Sequence, residues 1–310
     1  MSKLDKIEEL QRLVKNDSSN HEARRKLAVL LMDCGFNEEA LQHLLLLSKT
    51  FSFDDDIFYN LGIVYEKMKK YTLAKDAYLK AIELEPGSLD AIYNLGLVYT
   101  ELKEYDKAIQ CFNQIIEEDP EDSNTYFNLG LVYFKKKDYL NAIENFQKTI
   151  DLNDEDIYAY FYIGNIFKEL GDLESAKENF ERVIELSPKY SWAYYNLAVI
   201  YYEEKDIINA VEYLKKTIEM NPTDSEAYKI LAKLLLKQQE YTEACEAMQN
   251  ALSNCQESGD LYYLAAQVYK TVKDYKMCEI NLSEAIKNYQ TLSVPVQVAK
   301  NELAKIREKL

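Results

Sequence analysis

The chain has 310 residues, is 47 % hydrophobic and holds only 8 Gly and 5 Pro: enough apolar material for an extensive core, too few turn residues for an all-β fold. Its 53 acidic side chains outnumber 37 basic ones, leaving a formal net charge of -16 that argues against binding nucleic-acid phosphates. Such acidity keeps a large apolar protein soluble, or steers a basic polypeptide toward it.

In chain order, the first segment, Met1 to Leu13, is charged and amphipathic and lacks an apolar signal core. Leu4 to Val14 reads as a lone helix, the N-terminal cap of residues 1–20. No later stretch approaches a membrane span; Leu44 to Leu47 is only a patch on a helix. Five cysteines (Cys34, Cys111, Cys245, Cys255 and Cys278) show no CxxC spacing and no nearby His, and read as buried thiols in a reducing compartment. The expectation is a soluble cytoplasmic protein without a membrane partner.

From residue 21 onward the chain repeats. Gly62, Gly96, Gly130 and Gly164 are each 34 residues apart, Ala198, Ala232 and Ala266 continue the series, and Ala28 extends it backward. Pro86, Pro120, Pro188 and Pro222 share the period. Units therefore begin at 21, 55, 89, 123, 157, 191, 225 and 259 and fill residues 21–292. Each predicts two helices: in the second unit Phe58, Leu61 and Tyr65, then Ala74, Tyr78 and Ala81, recur at helical spacing around a Lys69-Lys70-Tyr71 turn. Gly62 and Ala74 are expected to let the two backbones approach closely, and Tyr71, Tyr105, Tyr139, Tyr241 and Tyr275 to plug the hairpin ends. Residues 293–310 form a last helix with the apolar stripe Val296, Ala299, Leu303, Ile306 and Leu310, and Lys300 stands where another repeat needs a small residue, so this helix is a cap.

The run Tyr93-Asn94-Leu95-Gly96-x-x-Tyr99, followed by Ala108, Phe112 and Pro120, resembles the tetratricopeptide repeat. The resemblance covers Glu22 to about Leu292. It weakens in the first, seventh and eighth units, where Ser52 and Gln256 replace the proline and Ala265-Ala266 replaces Leu-Gly; Asp154 replaces the proline of the fourth. It implies an all-α, right-handed superhelical solenoid of antiparallel hairpins with terminal capping helices, working as a protein–protein interaction scaffold.

Chemistry has little to build on. His21 and His43 fall in different helices of the first hairpin with no nucleophile beside them, and Gly35 and Gly171 are turn glycines, not a phosphate loop. Asp151, Asn153 and Glu155 alternate as in a calcium loop, but the glycine and distal glutamate of such a loop are absent. No catalytic residue, cofactor or metal is expected.

The resemblance also implies which residues face the concave groove: positions 2, 5, 6, 9, 12 and 13 of each unit. Position 6 carries Asn60, Asn94, Asn128 and Asn196, with Tyr162 interrupting. Such an amide ladder can bond an extended peptide backbone whatever its side chains, and it is equally the ordinary family residue there. Position 5 carries Tyr59, Tyr93, Phe127, Phe161 and Tyr195; position 9 carries Ile63, Leu97, Leu131 and Val199; Phe134, Tyr158, Trp192 and Tyr202 join around units four to six. These side chains either pack on neighbouring first helices or form an apolar surface; clustered apolar surface marks an interaction site, and binding of a partner is expected. The clamp that grips chaperone C-termini in this family is matched only by Asn165 and Asn196. Phe161 replaces its lysine, and Glu226 and Ile230 its cations.

The expected function is a scaffold or adaptor binding an extended or helical peptide, apolar or aromatic in part, against Tyr158, Phe161, Trp192, Tyr195 and Tyr202. Two other readings stand: an accessory subunit positioning substrates for a separate enzyme, and a protein that self-assembles as a homo-oligomer through its groove or a cap.

Overall fold

The computed structural model describes residues 2–310, and among them every regular element is helical. The helices are α1 (Lys3–Asn16), α2 (His21–Asp33), α3 (Asn37–Thr50), α4 (Asp55–Lys67), α5 (Tyr71–Leu84) and α6 (Leu89–Glu101). Then come α7 (Tyr105–Glu118), α8 (Ser123–Lys136), α9 (Tyr139–Leu152), α10 (Ile157–Leu170), α11 (Leu173–Leu186) and α12 (Ser191–Glu203). The last are α13 (Ile207–Met220), α14 (Ser225–Gln238), α15 (Tyr241–Asn254), α16 (Gly259–Thr271), α17 (Tyr275–Lys287) and α18 (Val296–Arg307), with a 3-10 turn at Tyr289–Thr291. The chain divides into two compact units within α10, one running to Ala159 and the other from Tyr160 to Leu310.

Two local devices set the helix boundaries. The residue before many of the first helices is a side-chain cap: Asp54 accepts from Ile57 N at 3.2 Å, Asp224 from Ala227 N at 3.0 Å and Ser258 from Leu261 N at 3.1 Å. The turn inside each hairpin passes through a left-handed residue: Gly35, Lys69, Lys103, Lys137, Gly171, Lys205, Gln239 and Lys273 all have φ between 58 and 82°. The tight reversal sends the second helix back along the first.

Within the unit ending at Ala159, hairpins α2/α3, α4/α5, α6/α7 and α8/α9 stack in sequence behind α1, with Leu27, Leu47, Ile57, Tyr78 and Phe112 fully buried. In the unit from Tyr160, α12/α13, α14/α15 and α16/α17 do the same around Leu197, Leu214, Ala232 and Leu282, and α18 packs on α17. This is the all-α hairpin-repeat fold that the 34-residue period implies.

Some packing differs from the sequence reading. The glycines make room for rings more than for backbones: a Cβ at Gly96 would sit 2.9 Å from the Phe112 ring and one at Gly130 2.8 Å from Phe146. The ring, not Ala74 or its equivalents, is the closest neighbour, because the second helix places its aromatic directly over that turn of the first. Tyr241 is exposed, unlike the half-buried tyrosines at the start of the other second helices. Cys34 and Cys245 are only partly buried; Cys111, Cys255 and Cys278 are in the core, where burial raises the Cys111 and Cys278 thiols to about 11. Leu310 is exposed because α18 ends at Arg307, before the stripe reaches it. Among the described residues, no helix is long and apolar enough to cross a membrane.

Candidate functional site

Position 5 aromatics of the glycine-bearing repeats lean on the buried rings of their own hairpins. In the unit ending at Ala159, ring centroids lie 5.9 Å apart for Tyr59 and Tyr78, 5.7 Å for Tyr93 and Phe112, and 5.6 Å for Phe127 and Phe146. These rings are half-buried framework.

The asparagine ladder is tied into the same framework. Asn94 Nδ2 donates to the Tyr59 hydroxyl at 3.2 Å and Asn128 Nδ2 to the Tyr93 hydroxyl at 2.7 Å, each bridging consecutive repeats. Asn60 donates to the Asp56 carbonyl at 2.7 Å. Burial raises the pKa of both Tyr59 and Tyr93, so they remain neutral hydroxyls.

Leu97, Leu131 and Asn128 line an open cleft of about 410 Å³ with Glu66, Glu101 and Lys135. Lys135 pairs across it with Glu101 at 3.0 Å, and Glu66 accepts from the buried Tyr78 hydroxyl at 3.0 Å. Phe134 packs 6.1 Å from Tyr139, and Tyr158 is exposed.

The unit from Tyr160 has a different surface. Phe161, Asn165, Tyr190, Trp192, Tyr195 and Asn196 surround a cleft of about 400 Å³. Phe161 rests on Phe180 at 5.7 Å and meets Tyr190 edge to face at 5.3 Å; Trp192 meets Tyr195 at 6.2 Å and 80°. Trp192 remains 55 % exposed, although an indole this size normally finds cover. Asn196 is buried, donating to the Trp192 carbonyl at 2.8 Å while its oxygen accepts from Lys168 Nζ. Asn165 donates to the Phe161 carbonyl at 2.9 Å. Burial lowers the Lys168 pKa against the opposing charges of Glu203 and Glu169. Burial, then the charges of Asp224 and Glu226, raise that of Tyr195.

Tyr162, Val199 and Tyr202 do not line this cleft; Tyr202 is exposed, with Lys237 Nζ 5.9 Å above its ring. Tyr190 does line it, and sequence reasoning had passed over it. It occupies the position before α12 where Asp54, Asp122, Asp156, Asp224 and Ser258 supply helix caps in other repeats, and it makes no cap bond. An aromatic in a column of capping residues was the available signal. Lys168, at position 12, was the other omission.

Among the described residues, no group of three or more His, Cys, Asp or Glu is arranged to hold a metal. His43 sits 3.2 Å from Arg24, and burial followed by that charge lowers its pKa; His21 packs edge to face on Phe51 at 5.0 Å.

Models described as tetratricopeptide repeat match residues 1–58, 56–88, 89–122, 123–156, 191–224 and 213–246, and one described as TPR repeat matches 164–205. No curated protein matches at a significant level. Among solved structures, MamA residues 41 to the end from Desulfovibrio magneticus RS-1 is 27 % identical, covering 56 % of this chain and 97 % of that one with a TM-score of 0.53. Two others share the fold. A tetratricopeptide repeat protein from Parabacteroides merdae is 14 % identical over 82 % of this chain and 98 % of its own, TM-score 0.54. The C-terminal part of a TPR repeat-containing protein from Cytophaga hutchinsonii is 20 % identical over 71 % and 91 %, TM-score 0.59.

Proposed function

Because the chain belongs to the tetratricopeptide repeat family, we propose that it is an interaction scaffold that holds a peptide segment of a partner protein along its first helices. The observation that carries this reading is the aromatic cleft beside Trp192. An exposed indole beside three half-buried rings is costly to keep in water, and such clusters concentrate binding energy when a partner covers them. A peptide side chain would enter between Phe161, Tyr190, Trp192 and Tyr195. In the other unit, Leu97 and Leu131 offer a second anchor point. The ladder amides Asn60, Asn94 and Asn128 use their nitrogens within the fold, so a ligand backbone there would meet mainly carbonyl oxygens, which suit its N–H groups.

Trp192 is the chain's single tryptophan, so its emission reports on this cleft alone. Peptides selected from a random display library on the folded protein are expected to shift that emission. Replacing Trp192 and Tyr195 together with Ala should abolish their binding, measured by calorimetry, with the thermal transition nearly in place. Binding that survives the double substitution would overturn the reading.

A further inference from the structure

The aromatic cleft has a charge environment as well as a shape. Phe161 with Tyr190, and Trp192 with Tyr195, are two edge-to-face pairs at 76° and 80°, so four rings wall one space of about 400 Å³ from different directions instead of filling it as a stack. Ring faces carry negative potential, and a cation enclosed by several of them is attracted by each. The surrounding ionised groups lean the same way. Asp224 and Glu226, at the start of α14, act on the Tyr195 hydroxyl; Asp224 caps the helix through Ala227 N and Glu226 pairs with Lys229 at 2.7 Å. Lys168, whose Nζ donates to the cleft-lining Asn196, is itself opposed by the charges of Glu203 and Glu169. The amide of Asn165 turns its nitrogen onto the Phe161 carbonyl, leaving its oxygen as an acceptor. The whole chain, at -16, adds a field of the same sign.

Resting on the peptide-binding reading above, we propose that the side chain anchored here is cationic: the ammonium or guanidinium of a basic peptide, caged by Phe161, Tyr190, Trp192 and Tyr195. Its aliphatic stem lies along the rings while the charge meets their faces and the oxygen of Asn165. The cage accepts a bare or methylated lysine by the same attraction. An arginine stacks on the rings as well.

The test uses the full chain and a random decapeptide display library. Selected peptides are synthesised with their Lys and Arg intact, with each Lys trimethylated, and with Lys replaced by norleucine and Arg by citrulline. They are titrated against Trp192 fluorescence at rising sodium chloride. The intact peptides are expected to bind about tenfold or more tightly than the neutral copies, and to weaken with salt. The trimethylated copies should outbind the neutral ones by at least the same factor, and Tyr190→Ala should erase the difference between charged and neutral peptides. If neutral copies bind as tightly as the originals and still require Trp192, the cationic anchor is wrong and the peptide groove stands. If no selected peptide depends on Trp192, both fail.

Discussion

Gly130 and Phe146 share one space: a Cβ added to the glycine would lie 2.8 Å from a ring that is fully buried. The same holds for Gly96 with Phe112 and Gly164 with Phe180, both at 2.9 Å. Where the second helix carries an aliphatic side chain instead, the first carries alanine: Ala28 with Leu44, Ala198 with Leu214, Ala232 with Met248 and Ala266 with Leu282, always 16 positions apart and all buried. The eight hairpins thus conserve a summed volume with two different pairs of residues, as a close-packed interior requires.

Gly130→Ala tests this compensation. Alanine improves helix propensity by about 1 kcal/mol, while overpacking against a ring that also abuts Phe127 costs about 1–3 kcal/mol, so a net loss of about 1 kcal/mol is expected in urea unfolding. Adding Phe146→Leu relieves the clash, and the double variant should lose less than the sum of the two single ones by about 1 kcal/mol. A strictly additive cycle would show that the pair does not share its space.

The hairpin turns permit an independent check. Gly171 and Lys137 occupy equivalent left-handed positions, at φ of 82 and 63°. A non-glycine residue there is strained by about 1–2 kcal/mol. Gly171→Ala is therefore expected to lower stability by about 1 kcal/mol and Lys137→Gly to leave it unchanged or raise it, read as opposite shifts in Tm; shifts of the same sign would contradict the assignment.

The fold was legible because its signal is redundant. Gly62 to Gly164, Pro86 to Pro222 and the alternating core positions state one period through independent residue types, and each is enforced by local packing. The groove was legible only as a list of faces. That Asn128 would spend its nitrogen on Tyr93 depends on how one hairpin settles on the preceding one, across 35 positions, and no residue pattern within a repeat encodes it. Trp192 and Phe161 could be assigned to one face from their register, whereas Tyr190 lies outside either helix and joins their cleft only through the path of the loop before α12.

The last hairpin ends in an acid-sensitive lock. Glu302 on α18 accepts hydrogen bonds from Tyr263 at 2.8 Å, Gln267 at 2.9 Å and Lys270. Burial pushes the Glu302 pKa up, but these bonds outweigh it and hold the carboxyl below 4.5. Burial and the same carboxylate raise Tyr263 to about 12. A depressed folded-state pKa means the stabilisation is fully present above the unfolded value, near 4.5, and is lost as pH falls through the folded one. Amide exchange in α18 should therefore accelerate as pH drops below that value, relative to intrinsic exchange. Glu302→Gln should show the faster exchange already at neutral pH, a local loss of about 1–3 kcal/mol. An α18 protection profile indifferent to both changes would remove Glu302 from this role.

Tyr190→Ser separates stability from binding at the cleft. Serine caps the corresponding position at Ser258, and a restored cap before α12 contributes about 1 kcal/mol. The substitution also removes the edge-to-face contact with Phe161, about 0.5–1.5 kcal/mol. The two terms oppose one another, so any loss of Tm should stay within a few degrees. One of the four rings around the bound side chain is gone, however, and affinity for the selected peptides should fall about tenfold. A residue kept only for packing would give the reverse result, a clear loss of Tm with affinity unchanged. Tyrosine at a capping position makes physical sense if the ring serves a ligand at the expense of the helix start.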